Sequence, residues 1–264
     1  PAITNPFFAE LVEKIEQKLF SEGYKVILCN AGSDKEKERE YLKMLLANQV
    51  DGIIAGAHNL GIDEYNRVGL PIVSFDRKLS EQIPIVSCDN YAGGKLAVQE
   101  LYNAGARHIY FLGNPHQQGN PTDQRLAGYC DTLETYGLSR HIHTVSFSGS
   151  PSLKLFSIKR LLQESVADGI VCTDDLTALL VLQAAKELAI KVPEQLKVTG
   201  FDGTTQIQLY HPELSTIVQP ISDIAELLVE VLKARIKQPT EPLKQMQYKL
   251  PVTFLQRNST SRSN

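Results

Sequence analysis

Apolar residues recur at helical spacing across residues 7–21, where Phe8, Leu11, Val12, Ile15 and Leu19 share one face and Gly23 supplies a stop. A β-branched run at 24–29 predicts a strand, and Ser33 or Asp34 can cap a charged helix ending near Asn48. Further strands are predicted at 52–55, 71–75 and 84–88, followed by a helix from Tyr91 to about Ala104. The alternation then restarts, with strands at 108–113, 142–147, 169–172, 196–201 and 215–218. Between and after them fall helices at 123–136, 153–166, 175–189, 204–210 and 221–237. Two short strand candidates, 245–249 and 251–255, precede a polar tail, 257–264, that is expected to fray.

The strands are short and carry no polar alternation, as in a parallel sheet covered on both faces. Repeated β-α units predict an α/β fold of doubly wound parallel sheets. Roughly ten strands exceed one compact sheet of ordinary size, so two sheets in two lobes are expected.

Composition bounds the function. The 264 residues are 42% hydrophobic and 22% charged, with a net charge of −3. No basic arm suggests direct contact with nucleic acid, so any DNA-reading part is expected outside this chain. No apolar run approaches the ~18 residues of a membrane span. The opening residues do not resemble a signal peptide, and the start has a mid-sequence character. Cys29, Cys88, Cys130 and Cys172 form no C-x-x-C pair and are expected as buried, reduced thiols of a cytoplasmic protein. Phosphate-binding glycine motifs, nucleophile elbows and zinc-protease motifs are absent, and no catalytic residue, resident metal or cofactor is expected. His141 and His143 can point to one face of a strand, but no other ligand lies near them in sequence.

Ligands of open α/β sheets bind beyond the carboxyl ends of the strands. Asp76 and Arg77 follow one strand, Thr173, Asp174 and Asp175 another, Asp202 and Gly203 a third, and Gln219 a fourth. Asn5, Phe7 and Phe8 stand at the first helix, and Arg125 lies just inside the helix after strand 108–113. Carboxylates and a guanidinium can hold hydroxyls, and aromatic faces can cover the C–H side of a sugar ring. Each residue also has a structural reading. Asp175, more than Asp174, is taken as the helix cap, Phe8 more than Phe7 as core, and Arg125 could pair with Asp123.

Several stretches, among them NPFFAELVEKIEQKLFSEGYKVILCN, LPIVSFDRKL, VSCDNYAGGKLAVQEL, QRLAGY, VCTDDLTALLVLQAAKE, VPEQLKVTGFDGT, LSTIVQP and LPVTFLQRNST, resemble the lactose-repressor family and its relatives, the periplasmic sugar-binding proteins. That resemblance implies two lobes, 1–89 with 220–248 and 90–219 with 249–264, joined by three crossings and holding an effector in a cleft. It carries ligand contacts to Asn5, Phe7, Phe8, Asp76, Arg77, Arg125, Asp202 and Gln219, with Asp174 and Phe147 as further candidates. Ribose or a similar pentose is the leading effector it implies. The partners it implies are operator DNA, read by a helix-turn-helix outside this chain, and a second copy contacting through 34–60 and 221–237. The LPVTFLQRNST ending favours a repressor over the alternative, a sugar-binding protein of a transport system. Three features depart from the family: Asp174 replaces an asparagine, the stacking aromatic near Phe147 is not clearly placed, and a strand expected ahead of PAITNPFF lies outside the chain.

Overall fold

The computed structural model describes residues 2–32, 34–56, 59, 61–67, 69–114, 123–145, 149–239 and 245–261. Its described segments fall into two compact units. Unit 1 comprises residues up to Cys88 together with Pro220–Leu250, and unit 2 comprises residues from Asp89 to Gln219 together with the segment after Leu250.

Unit 1 carries helices α1 (Pro6–Ser21), α2 (Lys35–Ala47) and α8 (Ile221–Lys237) around strands β1 (Ile53–Ala55), β2 (Ile72–Phe75), β3 (Ile85–Cys88) and β9 (Gln247–Leu250). The strand order is β1-β2-β3-β9 and every pairing is parallel. Strands β2 and β3 are buried at every position, which explains their unbroken apolar character. Helix α1 buries Phe7, Leu11 and Ile15. The apolar stripe is therefore phased on Phe7 rather than Phe8, because the helix starts at Pro6 with Asn5 as its cap.

Residues 24–30 differ from the strand expected there. They lie outside both sheets, and Ile27 and Leu28 are 56% and 52% exposed. β-Branched side chains favour extended backbone, but a strand also needs a neighbour at ~4.8 Å. Here a cavity of about 300 Å³ is lined by both this segment and β1.

Unit 2 contains β4 (Ile109–Gly113), β5 (His141–Thr144), β6 (Gly169–Cys172), β7 (Lys197–Asp202), β8 (Ser215–Val218) and β10 (Thr253–Leu255). Their order is β10-β8-β7-β6-β4-β5, parallel except for β10 against β8. Helices α3 (Asn90–Asn103) and α4 (Gln124–Thr135) pack on each other, as do α5 (Pro151–Glu164) and α6 (Asp175–Glu187), and α7 (Thr205–Tyr210) follows β7. Successive residues of β4 serve opposite faces. Phe111 meets Tyr129 of α4, whereas Leu112 joins a core with Ile158 of α5 and Val181 of α6. The sheet is thus doubly covered, as its apolar strands require.

Within the polar tail, the described residues 257–261 are held by hydrogen bonds rather than frayed. Ser259 donates to the Val198 carbonyl at 2.6 Å and accepts from the Ser215 amide at 2.8 Å. Thr260 donates to the Ser215 hydroxyl at 2.7 Å. Hydroxyls here satisfy backbone groups at the start of β7 and β8, so a polar sequence is no obstacle to burial.

Helices α3 and α4 touch backbone to backbone. A Cβ at Gly94 would lie 2.1 Å from the Arg125 carbonyl oxygen, and one at Gly128 would lie 2.1 Å from that of Tyr91. Gly128→Ala must force the helices apart at a cost of roughly 1–3 kcal/mol. A fall in the thermal midpoint of several degrees, read by differential scanning calorimetry, is the expected result, and an unchanged midpoint would show that the contact is slack.

Candidate functional site

At the carboxyl edge of the unit 2 sheet, the ends of β6, β7 and β8 and the start of α4 bring polar and charged groups together. Arg125, in the first turn of α4, is only 8% exposed. Its Nε donates to Asn90 Oδ1 at 2.6 Å, its Nη1 donates to the Thr173 carbonyl at 2.5 Å, and its guanidinium lies 3.5 Å from the Phe201 ring centroid. These contacts fix the plane of the guanidinium, which is what a directional hydroxyl donor requires.

Asp174 and Asp175 exchange the roles expected of them. Asp174 is the cap of α6, accepting from the Thr177 amide at 2.8 Å and the Thr177 hydroxyl at 2.8 Å. Asp175 instead turns under the sheet edge. It accepts from the Thr216 hydroxyl at 2.5 Å and the Gly203 amide at 2.8 Å, and is 2% exposed. Gly200 makes this burial feasible, since a Cβ there would sit 2.2 Å from Asp175 Oδ1.

Asp202 ends β7 with φ of 117°, followed by Gly203 at 62°. Positive φ at a non-glycine residue is strained and needs outside support. The support comes from Gln219, whose amide donates to the Asp202 carbonyl at 3.0 Å and whose Nε2 donates to Asp202 Oδ1 at 2.8 Å. Gln219 is 3% exposed, and its buried Oε1 finds no donor among the described residues.

The electrostatics follow from three carboxylates around one guanidinium. Burial pushes Asp175 up to about 7, helped by Asp174 and opposed by the Thr216 and Gly203 hydrogen bonds and by Arg125. Asp202 is raised well above the usual carboxylate range, again by burial first; Arg125 opposes the shift while Asp175 and Asp174 add to it. The folded value of Asp175 exceeds its unfolded value, so the stability tied to its proton is fully present below pH ~4 and is lost as pH rises through about 7. The thermal midpoint is expected to drop between pH 5 and pH 8 more in the native protein than in Asp175→Asn, by the equivalent of on the order of 3 kcal/mol. Equal slopes for the two proteins would contradict the assignment.

In unit 1 the strand ends gather a second group. Asp76 follows β2 with φ of 48°, and its amide donates to the Val86 carbonyl at 3.1 Å. Arg77 pairs with Glu38 of α2 at 3.1 Å, donates to the Asn59 carbonyl, and lies 5.7 Å from the Tyr65 ring centroid. Glu38 also accepts from Tyr65 Oη at 2.8 Å and Asn59 Nδ2 at 2.7 Å. Phe7 stacks on Phe75 at 5.5 Å, and half-buried Phe8 meets Phe7 edge-on at 5.2 Å. Asn5 caps α1 by accepting from the Phe7 amide at 2.9 Å.

Among the residues predicted from sequence, Arg125, Asp174, Asp202 and Gln219 therefore share one edge of unit 2, and Asp76, Arg77, Phe7 and Phe8 fall near the ends of β2 and α1 in unit 1. Phe147 lies outside the described residues. His141 stacks on Tyr110 at 4.5 Å and His143 bonds Ser157 at 2.8 Å. Asn90, Thr216 and Glu38 are not among the residues the sequence points to, and Asp175 is among its strand-end candidates but favoured there as a helix cap. Glu38 carried a signal, since it lies one helical turn before Leu42, on the face that α2 buries.

A family model described as a periplasmic binding protein-like domain matches residues 98–260. The chain is 52% identical over 253 residues to a sucrose operon repressor of Pediococcus pentosaceus, covering 96% of this chain and 77% of the relative. A solved periplasmic binding protein/LacI transcriptional regulator of Alkaliphilus metalliredigens complexed with D-xylulofuranose is 31% identical, with a TM-score of 0.89 over 99% of this chain and 97% of that one. A LacI family transcriptional regulator of Enterococcus faecium with bound ribose is 28% identical, with a TM-score of 0.86 over 100% of this chain and 97% of that one. The chain belongs to the LacI family of transcriptional regulators, and what it contributes is the periplasmic binding protein-like domain of a repressor.

Proposed function

We propose that this chain is the sugar-sensing domain of a repressor of sucrose utilisation, and that its effector presents a ketofuranose ring, either free or within sucrose. The carrying observation is the Arg125–Asp202–Gln219 group of unit 2, with a rigid donor, buried acceptors and a Gln219 Oε1 that finds no donor among the described residues. Hydroxyls on a small ring can donate to the carboxylates and to Oε1 while accepting from the guanidinium. Similarity to a sucrose operon repressor supports the sucrose assignment, and the D-xylulofuranose complex of the Alkaliphilus regulator supports a ketofuranose. Ribose is the second reading, favoured by the ribose bound to the Enterococcus faecium regulator. The proposal extends to Asn5, Phe7, Phe8, Asp76 and Arg77 as ligand contacts, to a homodimer acting on operator DNA from the cytoplasm, and to a role without catalysis.

An effector changes operator affinity only through different affinities for two conformations of the repressor. Thermal-shift titration against sucrose, fructose, glucose, ribose and a purine base tests the reading, because a ligand of the native state raises the midpoint by mass action. A rise with sucrose or fructose is expected. A rise with ribose alone selects the second reading, and a rise with the purine alone rejects a sugar effector.

A further inference from the structure

We infer that the effector is an uncharged sugar and that the site discriminates against its phosphorylated form. This rests on the sugar-sensing reading above and adds to it the charge of the ligand.

Three carboxyl groups, those of Asp174, Asp175 and Asp202, share this sheet edge with one guanidinium, that of Arg125, and all four residues are buried. Arg125 is already engaged with Asn90, the Thr173 carbonyl and the Phe201 ring. An arriving phosphate would meet a field set by acids.

Phosphates commonly dock at helix N-termini, where amides and the helix dipole favour an anion. In unit 2 the N-termini of α3, α6 and α7 are already occupied by the chain's own side chains. Asp89 caps α3 through the Ala92 amide, Asp174 caps α6, and Thr204 caps α7 through the Ile207 amide. An acid, Asp123, also stands at the start of α4.

The hydrogen-bond polarity gives an independent reason. Gln219 Oε1 is a buried neutral acceptor with no donor among the described residues, next to the acceptor Asp202. A sugar hydroxyl donates to such groups, whereas a phosphate dianion offers them only more acceptors.

The test is calorimetric titration of the folded protein with two pairs, fructose against fructose 6-phosphate and sucrose against sucrose 6-phosphate. Binding of a neutral member at least about 100-fold tighter than its phosphate is expected, since juxtaposed like charges cost several kcal/mol. Asp202→Asn keeps an acceptor for Gln219 but places an amide donor where the acid stood, so it should weaken the neutral sugar and narrow the gap to the phosphate. Equal or tighter binding of a phosphate would overturn the inference and leave the sugar-sensing reading standing. Binding of no member of either pair by the folded protein would remove that reading and the inference with it.

Discussion

Arg125→Ala is expected to lower the thermal midpoint by roughly 10 °C at pH 8 and by less than half of that at pH 5.5. The guanidinium electrostatically favours the ionised forms of Asp175 and Asp202, residues that are 2% and 7% exposed. Removing one partner of a buried charge group costs about 3–5 kcal/mol, chiefly because the charges left behind are uncompensated. At lower pH Asp175, pushed up to about 7 by burial, takes up its proton and its uncompensated charge disappears. What remains is the loss of the bonds to Asn90 and Thr173 and of the stack on Phe201. A penalty independent of pH would mean that Arg125 serves packing alone.

Glu38→Ala is expected to be comparably severe, with a cost of about 3–5 kcal/mol and a similar loss of midpoint in unit 1. The Glu38 and Arg77 side chains are 4% and 3% exposed, and the same carboxylate accepts from Tyr65 and Asn59. Glu38→Gln keeps an oxygen acceptor and is expected to cost about half as much, mainly the charge–charge part. Chemical denaturation of the two variants separates these contributions. Should alanine and glutamine cost the same, the acceptor geometry contributes nothing and the charge accounts for the whole effect.

The architecture was legible because apolar strands alternate with helices, and a strand buried on both faces has no other composition open to it. The gathering of Asp202 and Gln219 was legible for a related reason: residues just past parallel strands must meet at one edge. The roles of Asp174 and Asp175 were not. Two adjacent acids at a helix start look alike in sequence, and the choice is made by distant groups, the missing Cβ of Gly200 and the hydroxyl of Thr216. Phe7 and Phe8 are similarly ambiguous until the first helical residue is known. Residues 24–30 have strand composition, yet a strand is defined by its neighbour, which composition does not report. Ser259 and Thr260 look like a solvated tail, and only the backbone groups of Ser215 and Val198 show why they are buried.

The most direct test of a sugar site at the Arg125–Asp202–Gln219 edge is calorimetric titration of sucrose and fructose into the native protein and into Gln219→Ala. The expected result is 1:1 binding of one of these sugars by the native protein and at least about 10-fold weaker binding by the variant, as both a ligand acceptor and the support of Asp202 are lost. Equal affinity of the two folded proteins for the sugar would contradict this placement of the site.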